Sequence, residues 1–126
     1  MREIKGAMSA QEAGEDRFLP VENSDAYRAS ARALMEGVRV LARGPSSAAI
    51  ALTFVAGQVT ECGLKSLLAR SMPLKDVVNL GHDLVALRDA AIARGINLPP
   101  SLSPWLDDLA RLHRSPYNLR YPMELH

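Results

Sequence analysis

Two short polar signatures carry most of the chemical capability of this chain: Gly81-His82-Asp83-Leu84, which opens a helical pattern, and Tyr117-Asn118-Leu119-Arg120-Tyr121-Pro122, which follows the last one. Histidine exchanges protons near neutral pH, and arginine holds phosphate or carboxylate in a planar fork. Placed at helix boundaries, such groups can converge on one another. Glu61 and Lys65 add a pair at i, i+4. On an exposed face that pair is worth only ~0.2–0.5 kcal/mol. On the least polar helix of the chain, however, a carboxylate needs a partner, which His82 or Arg120 can supply. The candidate binding cleft is therefore Glu61, Lys65, His82, Asp83, Tyr117, Arg120 and Tyr121. Asp83 is first of all an N-cap candidate, and His82 can equally bond a neighbouring backbone group.

Other chemistries have little support. His82, His113 and His126 share no metal-ligand spacing, and Cys62 has no sulfur partner, so no metal site is expected. Cys62 sits among apolar neighbours, where a thiol is inert packing. Neither a nucleophile elbow nor a phosphate-cradling glycine loop is present, so no cofactor is expected. Arg28, Arg32, Arg39 and Arg43 fall within a narrow arc of the first helix, with Glu36 beside them. Such a ridge either follows a phosphate backbone or is a solvated helix face. Aromatic residues do not interleave with it, so no stacking platform is indicated.

These groups need elements to hold them. At 126 residues the chain is one domain, with 48% hydrophobic and 23% charged residues, as globular proteins have. Scarce aromatics (5%) and abundant Ala and Leu favour helices over strands. The single cysteine fits a reducing compartment. Without a signal-like run or eighteen uninterrupted apolar residues, a cytoplasmic protein with no membrane span is expected. A net charge of +1 gives no global pull toward nucleic acid.

Residues 1–23 show no sustained period and read as a flexible N-terminal arm. A helical domain follows over 24–122, with a short tail at 123–126. The first helix is expected to start at Ser24 or Asp25, with Tyr27, Ala31, Leu34, Val38 and Leu41 forming one stripe, and to end at Gly44-Pro45. The second should run from about Ser47, capped by Ser46 or Ser47, to Arg70. Its apolar residues wrap much of the circumference, the pattern of a central helix touched on several sides. Gly57 and Gly63 within it mark either close approach by another backbone or positions where glycine is simply tolerated. Leu74 to Leu80 reads as a bridge. The third helix starts near His82 or Asp83 and stops at Arg94-Gly95, with Ile96 completing the cap. Ser103-Pro104 marks the start of the fourth, whose buried face would be Trp105, Leu109 and Leu112. The expected architecture is all-α, an antiparallel up-and-down bundle of about four helices.

Glu61-Cys62-Gly63-Leu64-Lys65 in the second helix, Gly81-His82-Asp83-Leu84 opening the third, and Arg120-Tyr121-Pro122 near the end together resemble the HEPN family (higher eukaryotes and prokaryotes nucleotide-binding domain) over about residues 24–122. The resemblance implies an up-and-down helical bundle, commonly a homodimer in which two polar clefts face each other. Many members are metal-independent ribonucleases of toxin–antitoxin, CRISPR or defence systems with an Arg-x4–6-His motif. Arg120 and His126 meet that spacing formally, which would make them the catalytic pair. Other members lack the motif and bind a nucleotide, RNA or a nucleotidyltransferase partner. Here Tyr121 and Pro122 depart from the usual residues after the arginine, His126 is terminal, and the final helix of the family is missing or supplied by another chain. A non-catalytic binding module is therefore the expectation, with the endoribonuclease as the alternative.

Overall fold

The computed structural model describes residues 20–113, which are mostly helical and contain no strand. The order is α1 (Pro20–Ala42), a 3-10 turn (Ser46–Ala48), α2 (Ala49–Leu68), α3 (Leu74–Asn79), α4 (Leu84–Ala93) and α5 (Leu102–His113). The all-α expectation holds for these residues.

α1 begins at Pro20, earlier than the expected start at Ser24 or Asp25. Proline lacks an amide to satisfy and so suits a first turn. Ser24 lies inside the helix, buried, and its hydroxyl donates to the Ser66 carbonyl at 2.6 Å. That bond ties the start of α1 to the end of α2. Further along, Gly37 of α1 faces Val55 of α2, so the two helices form an antiparallel hairpin. Neither Ser46 nor Ser47 caps α2: the chain enters from the 3-10 turn with Ala48 at the N-cap and no side-chain bond.

The core occupies one end of the molecule. Leu64 and Leu68 of α2 pack with Val77, Leu84, Leu87 and Leu106, all buried. From Asp25 to Ala56 no residue is buried, so the distal hairpin projects beyond this core. The expectation of a central helix touched on several sides therefore holds only for the second half of α2. The stretch Ser46–Leu68 is apolar enough, by length and composition, to cross a membrane, at a mean hydropathy of 1.3. It carries Glu61 and Lys65, which are bonded to each other inside the fold.

The segment 74–80, expected as a bridge, contains the helix Leu74–Asn79 with Val77 fully buried. Tertiary burial of that valine outweighs its modest helix propensity. α4 follows the expected pattern closely. Asp83 caps it by accepting from the amides of Val85 and Ala86, both at 3.1 Å. Gly95 adopts φ +79°, and Ile96 N donates to Ala91 O at 3.0 Å, closing a Schellman motif.

α5 starts at Leu102, with Ser103 and Pro104 in its first turn. Its buried residues are Leu106, Ala110 and His113, which corrects the expected face of Trp105, Leu109 and Leu112. The two stripes differ by about 100° of rotation, and the buried one is the less apolar of the two because it includes Ala110 and His113. A buried polar contact of His113 decides between them.

Candidate functional site

Glu61 is 4% exposed and sits where α2, α5 and the start of α4 meet. Lys65 Nζ reaches its Oε2 at 2.8 Å from the next turn of α2. His82 Nδ1 reaches the same oxygen at 2.8 Å from the turn between α3 and α4. His113 Nε2 reaches Oε1 at 2.7 Å from the last residue of α5. An ionised carboxylate only accepts, so each contacting ring nitrogen carries a proton. One acid thus engages three basic side chains from three parts of the chain.

Local sequence sets each member. The Glu61–Lys65 spacing places both on one face of α2. Gly81, at φ +66°, turns the chain after α3 and hands His82 to the cluster. His82 keeps 47% of its side chain exposed, whereas His113 keeps 1%. Lys65 also lies 5.9 Å from the centroid of the Tyr27 ring, a cation–π contact from α1.

Burial alone would raise the Glu61 carboxyl. The hydrogen bonds from His113 and Lys65, the charge of Lys65 and the hydrogen bond from His82 outweigh it and bring the pKa down to about 2. Burial raises the neighbouring Cys62 thiol, and Glu61 adds to that effect while Lys65 opposes it. A thiol held in its protonated form agrees with packing rather than reactivity. Burial likewise raises Tyr27, helped by Cys62 and Glu61.

Of the expected cleft, the structure brings Glu61, Lys65 and His82 together. The exposed Glu61–Lys65 pair considered from sequence is in fact buried, at 6% and 8% side-chain exposure. Asp83 is exposed and serves as the α4 cap. Tyr117, Arg120, Tyr121 and His126 lie outside the described residues, and with them the expected contact of Arg120 with Glu61. The four ridge arginines are all exposed. Arg28 pairs with Asp25 at 2.9 Å and Arg39 with Glu36, while Arg32 and Arg43 have no ion pair among the described residues.

His113 was missed as a cluster member. Its signal was Gly57, whose position mid-helix pointed to a close approach. What approaches is the imidazole ring of His113, not another backbone: a Cβ on Gly57 would stand 2.4 Å from His113 Nδ1. Gly63 has nothing within 4 Å of its Cβ position, so close approach does not explain it. Elsewhere, Arg88 bridges Asp89 and Asp107 at 3.1 Å each and ties α4 to α5. Among the described residues, no group of three or more His, Cys, Asp or Glu is arranged to hold a metal ion.

Comparison with family models, with curated proteins and with solved structures gave no match.

Proposed function

We propose that this chain is a HEPN-like helical binding module that works by binding rather than turnover, with nucleotide or RNA as its ligand or a nucleotidyltransferase as its partner. The observation that carries the non-catalytic reading is the saturation of Glu61. Both of its oxygens are engaged by basic side chains, and its pKa near 2 makes it a weak base and leaves no proton to donate at neutral pH. The cluster joins α2, the turn between α3 and α4, and α5. A phosphate-bearing ligand would instead meet the arginine ridge of α1, where Arg32 and Arg43 are exposed.

The test is fluorescence anisotropy with an end-labelled single-stranded RNA, alongside cleavage of the same RNA in EDTA. Binding without cleavage is expected. Arg32→Ala/Arg43→Ala should weaken binding at every sequence tested and flatten the salt dependence by about 1.4 logarithmic units per decade. RNA cleavage that disappears in Arg120→Ala, or in a chain ending at Leu125, would instead establish the endoribonuclease. No binding even at low salt would remove nucleic acid as the ligand.

A further inference from the structure

The Glu61 cluster occupies one side of α2, and another side of that helix is open and apolar. Between α1, α2 and α5 runs a groove of about 520 Å³, walled by Met35 and Val38, by Leu52 and Val59, and by Trp105 and Leu112. Its α2 residues lie roughly 140° around that helix from Glu61, so groove and cluster are separate faces. The floor suits an apolar occupant, because the hydroxyls of Thr53 and Thr60 donate to the Ala49 and Ala56 carbonyls of their own helix, both at 2.9 Å. The α5 wall is shorter than the other two. Leu106 packs with Leu64 and Leu68, whereas the His113 ring meets Gly57, so α5 runs antiparallel to α2. It stops level with Gly57, and the groove continues to Leu52, about 7.5 Å farther along α2. The chain therefore leaves α5 beside the groove, heading toward the stretch that lacks its third wall.

We infer that the occupant of this open stretch is the chain's own segment 117–125, seated in extended form along the α1–α2 hairpin. Its composition matches the seat. Tyr117, Leu119, Tyr121, Met123 and Leu125 alternate with Asn118, Arg120, Pro122 and Glu124. Alternation at period two gives an extended segment one apolar face. Pro116 and Pro122 oppose a helix there and bias Ser115 and Tyr121 toward extended backbone. Its reach also matches. At about 3.3 Å per residue, Tyr117 to Tyr121 spans roughly 13 Å, enough to pass Leu52 and meet the exposed Ile50. Tethered through residues 114–116 alone, the segment faces the groove at an effective concentration on the order of millimolar, an advantage no separate partner has. This seating turns Arg120 outward with Asn118 and keeps it away from Glu61, which lies on the other face of α2.

Cys62 is the only cysteine, so in the full chain carrying Cys62→Ser two introduced thiols report proximity. Under mild oxidation Val38→Cys/Leu119→Cys should close an intrachain disulfide. Val38→Cys/Asn118→Cys, with the second thiol turned outward, should close it about tenfold more slowly or less readily still. In a second arm, Leu119→Asp/Tyr121→Asp should speed amide exchange across residues 35–55 about tenfold while helicity by circular dichroism is unchanged, and Asn118→Asp should not. No disulfide in either pair, or equal rates in both, overturns the proposal. So does exchange indifferent to the double substitution. A disulfide formed only between chains means that a second copy fills the groove. Exchange across residues 35–55 that slows only when anionic vesicles are added means that the occupant is lipid, and either result also overturns it. The inference does not rest on the ligand proposed above, and the RNA assays do not bear on it.

Discussion

Glu61 concentrates the stability of the molecule in one side chain. Glu61→Gln leaves Lys65 buried, at 7% exposure, without its counter-charge. Loss of one partner of such a pair costs about 3–5 kcal/mol, to be read by urea denaturation at neutral pH. The same residue governs acid stability. Its folded pKa, about 2, lies below its ordinary 4.5, so its contribution is complete above pH 4.5 and is lost as the pH falls toward 2. That shift corresponds to something on the order of 3 kcal/mol. In Glu61→Gln the component of the acid slope within this window should vanish; an unchanged slope would assign it to other carboxylates. The sequence announced a carboxylate in need of partners, because a charge on an apolar helix rarely stands alone. It did not name His113, since no short-range spacing links a histidine at the end of α5 to a glutamate in α2.

Among the helices, the two glycines of α2 make opposite predictions. Gly63→Ala meets open space and should stabilise by about 0.5–1 kcal/mol through helix propensity. Gly57→Ala drives a methyl into the His113 ring and should destabilise by roughly 1–3 kcal/mol despite the same propensity gain. In a His113→Ala background the Gly57 penalty should disappear; a penalty that persists there would mean that the ring is not what the methyl meets. Thermal melts of the parent and these four variants settle both points. Element boundaries were legible wherever a local cap sets them, as at Asp83 and at Arg94-Gly95-Ile96. They were misread where a distant contact decides: Ser24 bonds to Ser66 instead of capping, and Val77 earns a helical turn through burial. α5 was placed correctly but rotated by one residue, because apolar periodicity favours the Trp105–Leu109–Leu112 stripe, whereas the buried bond of His113 to Glu61 turns its own stripe inward.

At the scale of the whole molecule, the core end and the projecting hairpin should differ in local stability. Amide exchange at concentrations where the chain is monomeric should be slowest around Leu64–Leu68, Leu84–Ala91 and Leu106–Ala110, and faster across Met35–Val55. Equal protection in both regions would contradict the uneven burial. That one end would be dry and the other bare was not legible from composition, since the apolar residues of α2 run along its whole length. The Glu61 cluster carries a further consequence, for the order in which the chain assembles. Its bonds span 4, 21 and 52 residues, and only the first closes within a helix. The longest waits for α5 to dock, after the loop-closure entropy has been met by apolar contacts. Until then the carboxylate keeps its water. His113→Ala should therefore leave the refolding arm of the chevron almost unmoved and place its stability loss in faster unfolding. Refolding slowed by the full loss would instead put this contact in the transition state. On the expected outcome, the knot of charge sets how long the native state lasts rather than how quickly it is reached.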